Sequence, residues 1–178
     1  LQVGIGGVPE ASMKLLTGRK GLGIHSGMIG ESVVDLIESG AVTNEYKEID
    51  RGVTITGALL GTGRLYRFCE RNPAIRLAPT SYTHDVSVLS QLSRFISMNS
   101  ALEVDITGQV NAEAIGANYL GAVGGQVDYV RAANLSTGGR SIIALRATAQ
   151  GGEISRIVSS LSGPVTTARA DVDIVVTE

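Results

Sequence analysis

The residues able to do acyl chemistry gather at one short junction. Gly23-Ile24-His25-Ser26-Gly27-Met28 joins an apolar stretch to an amphipathic one and sets an imidazole beside a hydroxyl. A serine activated by a histidine attacks esters and thioesters, so the pair invites a hydrolase reading. The strained serine elbow of that chemistry is absent, because Ser26 falls fourth rather than third in Gly23–Gly27. His25 and His84 are the only two histidines. A lone histidine is more often a core or loop hydrogen-bonder than a catalyst.

Two glycine loops could serve such a site. Gly4-Ile5-Gly6-Gly7-Val8-Pro9 lies between an apolar strand and a helix start, where bare amides can hold an anion. It is neither a dinucleotide fingerprint, since Pro9 takes the last glycine's place, nor a phosphate loop ending in Gly-Lys-Ser/Thr. Gly121-Ala122-Val123-Gly124-Gly125-Gln126-Val127-Asp128-Tyr129 is the second, and its amides could face a developing oxyanion. The plain alternative for each is a strand-to-helix turn. Glu103/Asp105 and Asp171/Asp173 alternate as solvated strand faces do, and Arg64, Arg67 and Arg71 read as a solvated helix stripe.

These residues must be positioned by alternating short strands and amphipathic helices, which favours a layered α/β domain. Strands are expected over 2–5, 21–26, 53–60, 100–106, 141–145 and 172–176. Pro9 suits a helix's first turn, with Ala11, Leu15 and Leu16 apolar and Gly18 closing it. Residues 31–39 form a second helix, with Val33, Leu36 and Ile37 on one face and Gly40 after its end. A third runs over 63–70 and stops before Pro73. Residues 73–85 read mostly as loop, and Thr107-Gly108 turns a hairpin into Gln109-Val110. With no internal repeat and no linker, the chain reads as one domain.

The 178 residues are enough for a sizeable core, 43% hydrophobic but with no Trp, and so aliphatic. The 23 glycines are nearly twice the usual share of roughly 7%. A net charge of −2 argues against a nucleic-acid or membrane-surface binder. Cys69 is the one cysteine, which excludes an internal disulfide and a Cys-based zinc site; a reducing, cytoplasmic setting is the simple reading. No run approaches the roughly 18 apolar residues of a membrane span, and none reads as a signal peptide. The chain starts inside an apparent strand and ends on Ile174-Val175-Val176-Thr177-Glu178, as though cut from something longer.

Taken together and in order, several stretches are far more specific than any one alone: Gln2 to Pro9, Gly23-Ile24-His25-Ser26, Asn99 to Asp105 with Gly108-Gln109-Val110-Asn111, Gly124 to Asp128, and Val175 to Glu178. In these the whole chain resembles the C-terminal domain of the acetyl-CoA hydrolase/transferase family, which includes 4-hydroxybutyrate CoA-transferase. The resemblance implies a layered α/β domain of the CoA-transferase type, with a mostly parallel sheet flanked by helices. It implies that residues 1–178 are a C-terminal domain whose N-terminal companion, on the same chain or a partner, closes the active-site cleft. Acyl-CoA and a small carboxylate are the expected substrates, with no metal, and the resemblance leaves room for a homo-oligomer.

The family's mechanism is covalent. A glutamate attacks the thioester, CoA thiolate attacks the resulting anhydride, and the glutamyl-CoA thioester passes CoA to a carboxylate or is hydrolysed. Mapped by resemblance, Gly4, Ile5, Gly6, Gly7 and Val8 match the CoA-contacting loop. Gly125, after Gly124, matches the glycine whose amide forms the oxyanion hole. The nucleophile's position is Gly27. A family asparagine near it falls within 81–86, best at His84. The family's lysine near CoA is Gln150, and the Pro-Ser before it is Arg146-Ala147. Glu31 cannot substitute, lying about 6 Å further along the axis. The resemblance therefore implies an acyl-CoA-binding domain with an impaired or divergent site. The alternative is an active transferase or thioesterase working through Ser26 with His84, or through a water.

Overall fold

The computed structural model describes residues 1–4 and 6–178. The chain opens with strand β1 (Gln2–Val3), helix α1 (Gly7–Lys14), β2 (His25–Ile29), α2 (Glu31–Glu38), β3 (Thr54–Leu59), α3 (Gly63–Cys69) and β4 (Ile75–Leu77). It continues through α4 (Thr80–Thr83), α5 (Val86–Leu89), β5 (Ile96–Asn99), β6 (Glu103–Asp105), β7 (Val110–Asn111), β8 (Ala114–Ile115) and β9 (Asn118–Tyr119). The last part holds α6 (Gln126–Leu135), β10 (Arg140–Ala144), β11 (Thr148–Ala149), β12 (Ile154–Ser155), β13 (Ile157–Val158) and β14 (Ile174–Val176).

Two parallel sheets, β1-β5-β10-β14 and β2-β3-β4, carry the fold. They meet where the His25 N–H donates to the Leu1 carbonyl at 3.0 Å, so β1 and β2 lie side by side in one layer. Helices cover both faces, as a parallel sheet requires. On one, Met13, Val33, Val34, Leu36 and Leu65 from α1 to α3 pack with Ile24 and Ile29. On the other, Leu89 of α5 and Tyr129, Ala132 and Ala133 of α6 pack with Phe95. A smaller sheet, β13-β6-β7, attaches through Val104 and Val110 to Val130 and Ile143.

The mostly parallel α/β layering agrees with the sequence expectation, but several boundaries move. The ladder of β2 with β3 runs from His25↔Ile55 to Ile29↔Leu59, so Gly27 lies inside a strand rather than after one. Residues 21–24 contribute only an isolated Leu22↔Val42 bridge. Helix α1 stops at Lys14, well before Gly18; its buried residues are Pro9 and Met13, while Leu15 is 82% exposed. The loop expected over 73–85 contains β4 and α4, the latter opened by Pro79. Arg71 lies beyond α3 with φ 52°, so it does not extend an arginine stripe. Arg64 instead pairs with Asp35 at 2.7 Å.

Asp105 corrects the solvated-face expectation. It is buried, and its carboxylate accepts from the Thr107 amide (2.8 Å) and hydroxyl (2.7 Å) and from Gln109 Nε2 (2.8 Å). The Thr107 hydroxyl leads the groups that hold its pKa down to about 2. Glu103 accepts from Asn111 and Ser162, and Ile106 is exposed. The hairpin turn takes the Asp105 carboxylate inside, while Val104 stays buried in the core as the alternation expects. Asp171 and Asp173 precede β14 rather than alternating along it, and Asp171 pairs with Arg131 at 3.1 Å.

Candidate functional site

Strand alternation sends Gly27 and Ser26 to opposite faces of β2. Gly27 faces α4 and α6. A Cβ built on it would lie 2.8 Å from His84 Cε1, 2.9 Å from His84 Nε2 and 3.0 Å from the Tyr129 hydroxyl. Gly125 caps the start of α6 and closes on the same ring: a Cβ there would run into His84 Cδ2 and Nε2. The imidazole thus fills a slot between two residues that have no side chains. Real Cβ contacts are not that short, so both positions must be glycine while His84 keeps this place.

Three groups hold the ring. His84 ends α4, its amide donating to the Thr80 carbonyl at 3.0 Å. Its Nδ1 lies 2.9 Å from Thr83 Oγ1. Tyr129 points back toward the start of α6, as helical side chains do, and its ring lies 4.8 Å from the imidazole. The Tyr129 hydroxyl donates to the Thr83 carbonyl at 2.8 Å. Burial lowers the His84 pKa, with Asp128 opposing, and burial raises that of Tyr129. The half-buried imidazole is therefore neutral at pH 7. Thr83 and Tyr129 were not singled out from sequence; the available signal was Tyr129 standing one helical turn after Gly125.

Ser26 does not join this slot. It is buried, with its Oγ 3.3 Å from the Val3 amide and 3.4 Å from the Val3 carbonyl. The Ser26–His84 pair is thereby corrected: Ser26 lies on the face of β2 opposite the one that Gly27 turns to His84. His25 is fully buried and stacked 5.6 Å from Tyr82, and among the described residues neither ring nitrogen has a hydrogen-bond partner. Burial, then the Lys47 charge, lowers its pKa to about 4.

The Ser26 side of β2 holds the first glycine loop. A cavity of about 360 Å³ opens between the β1–α1 and β2–α2 connections, lined by Gly4, Gly6, Gly7, Ser26, Gly30 and Ser32 among others. It lies beyond the carboxyl ends of parallel strands, where such sheets bind ligands. Gly4 donates to the Met98 carbonyl at 2.7 Å, and a Cβ on it would meet Asn99 Oδ1. Gly6, at φ 140°, caps α1 in a conformation that favours glycine. Glu10 and Glu31 also line the cavity. The Ser32 hydroxyl donates to Glu10 at 3.1 Å, and the Thr62 amide and hydroxyl hold Glu31 at 2.7 and 2.6 Å. Val8 lies in α1 and does not line the cavity; Ile5 is outside the described residues. Gln150 sits on the exposed turn between β11 and β12, away from the cavity lining. Gly124 occupies the exposed turn before Gly125, at φ 58°. No cluster of three or more metal-ligating side chains occurs among the described residues.

Gly27 on its strand thus faces the helix-capping Gly125, and a glycine-lined crevice opens on the strand's opposite face. The family model for the acetyl-CoA hydrolase/transferase C-terminal domain matches residues 61–178. The chain belongs to the acetyl-CoA hydrolase/transferase family. Over 180 residues it is 42% identical to the 4-hydroxybutyrate coenzyme A transferase of Clostridium kluyveri, with 100% of this chain and 42% of the relative covered. The succinyl-CoA:cyclohexane-1-carboxylate CoA transferase of Geobacter metallireducens is also 42% identical, covering 100% of this chain and 41% of that protein. The crystal structure of RipA from Yersinia pestis superposes with a TM-score of 0.94 at 40% identity, over 99% of this chain and 40% of RipA. The chain therefore spans less than half the length of these family members.

Proposed function

We propose that residues 1–178 are the C-terminal domain of a longer, cytoplasmic acyl-CoA-binding protein of this family in which the covalent glutamyl route is closed. The observation that carries this reading is steric. The position that the resemblance gives to the nucleophile is Gly27, and the space its side chain would enter is held by the His84 ring. An isolated loss of the carboxylate would leave a gap; here a second residue fills it. Without the carboxylate no acyl anhydride and no glutamyl-CoA thioester can form.

The backbone half of the machinery remains. The loop at Gly4, Gly6 and Gly7 still lines a crevice, and Gly125 still begins a helix at the slot. These support binding of CoA and its thioesters, with a small carboxylate as the second ligand of the family chemistry. In this reading an N-terminal half, on the same chain or a partner, completes the cleft. Its length is consistent with relatives more than twice as long.

Hydrolysis by a water that His84 activates is the second reading. What favours it is that the imidazole Nε2 reaches the space bordered by Gly125. The deciding experiment is borohydride trapping on the full-length protein incubated with acyl-CoA. No reduced glutamyl adduct should appear, while isothermal titration should still detect CoA binding. A trapped adduct would overturn the closed-route reading, and absence of binding at millimolar CoA would remove the ligand assignment.

A further inference from the structure

Thr83 is fully buried, and its hydroxyl hydrogen needs an acceptor. Among the described residues its side chain has one hydrogen-bond partner, His84 Nδ1 at 2.9 Å. A hydroxyl either donates or accepts there, and a neutral imidazole offers one N–H and one lone pair. Were Nδ1 protonated, the Thr83 hydrogen would be left buried and unpaired, which is destabilising. Nε2 is under no such constraint. His84 is only half-buried, so a proton on Nε2 can be shared with solvent or ligand in the slot. The residue that orients the ring is itself fixed, because the Thr83 carbonyl accepts the Tyr129 hydroxyl at 2.8 Å.

We infer that Thr83 donates to Nδ1 and so fixes His84 as the Nε2–H tautomer, making the imidazole a hydrogen-bond donor in the slot beside Gly125. The ligand that suits it is the carbonyl oxygen of an acyl thioester. A donor held in place is useful against a developing oxyanion or a thioester carbonyl. A neutral imidazole carrying its proton on Nε2 has no lone pair there with which to take a proton from a water. Its one lone pair, on Nδ1, is engaged by the Thr83 hydroxyl, and burial opposes the cation. The inference deepens the acyl-CoA-binding reading and rests on it for the ligand. It replaces the base role with recognition: the slot distinguishes an acylated CoA from the free thiol, which has no carbonyl to offer. Thr83 is a positioning residue in this scheme, acting through His84.

The test uses the full-length protein labelled with ¹⁵N-histidine, with the His84 signals assigned by their loss in His84→Gln. Long-range ¹H–¹⁵N spectra should show Nε2 protonated and Nδ1 as the acceptor. Thr83→Val should relax this to a mixture of tautomers, and Thr83→Ser should restore it. Acetyl-CoA should bind roughly fivefold more tightly than CoA, a ratio equivalent to one ordinary hydrogen bond. That ratio should fall toward one in Thr83→Val and recover in Thr83→Ser. An Nδ1–H tautomer in the unmodified protein overturns the inference whatever the variants do. Equal affinity for CoA and acetyl-CoA also overturns it, and leaves the CoA-binding reading standing. If neither ligand binds, that reading falls, and the tautomer alone still decides the role of Thr83.

Discussion

The two faces of β2 are built in opposite ways. On one, Ser26 borders an open crevice rimmed by glycines and two hydrogen-bonded carboxylates. On the other, Gly27 meets an imidazole wedged against Gly125 and braced by Thr83 and Tyr129. One face keeps an open crevice through backbone conformation, and on the other the room for a side chain at position 27 is held by a ring. A single strand can therefore present two unlike surfaces, because alternation uncouples residues adjacent in sequence.

The largest effect should come from closing the slot further. Gly125→Ala forces a methyl into a ring that Thr83 and Tyr129 hold, and should cost roughly 3 kcal/mol or more in denaturant unfolding. Combining it with His84→Ala should return most of that loss; additive losses would show that His84 does not shape the slot.

The interior of the Gly27 face can also be tested by acid. His25 titrates near pH 4 when folded and near 6.5 as a free side chain. Between those values the unfolded chain binds the extra proton, so this stability is complete above pH 6.5 and lost as pH falls toward 4. The loss should reach about 3 kcal/mol. Unfolding midpoints measured across that window should decline less steeply in His25→Gln; an unchanged slope would assign the acid sensitivity elsewhere.

Gly27→Glu sharpens the comparison directly. Alone it should destabilise by about 2 kcal/mol and give no trappable adduct, since the new side chain enters space held by His84 and Tyr129. Paired with His84→Asn it should recover stability, the two substitutions coupling by more than 0.5 kcal/mol in a double-mutant cycle. Full recovery of transfer by Gly27→Glu alone would show that the slot opens without His84 being replaced. The smallest effect belongs to the other face: Ser26→Ala should cost about 1 kcal/mol in denaturant unfolding through the lost Val3 contact.

Much of the fold was legible in the chain. Alternating apolar and amphipathic stretches placed α2, α3, β3 and β10 within a residue or two, because helix and strand periodicities depend on local burial alone. The region around 73–85 was not legible, because β4 is a three-residue edge strand made by its register with β3. Asp105 misled for a similar reason: an aspartate on an alternating strand reads as solvated until the turn at Thr107 folds over it. His25 and Ser26 looked like partners because they are neighbours in sequence, and the pleat that separates them is invisible in composition.

By itself the sequence determined the family, the layered α/β plan and a glycine at position 27, since ordered motifs and residue identities survive without coordinates. Only the tertiary structure decided what stands against that glycine. His84 lies 57 positions from Gly27 and 41 from Gly125, and no local pattern joins three such distant residues. Close packing of α4 and α6 against β2 brings them together, and it leaves room for one ring between two glycines.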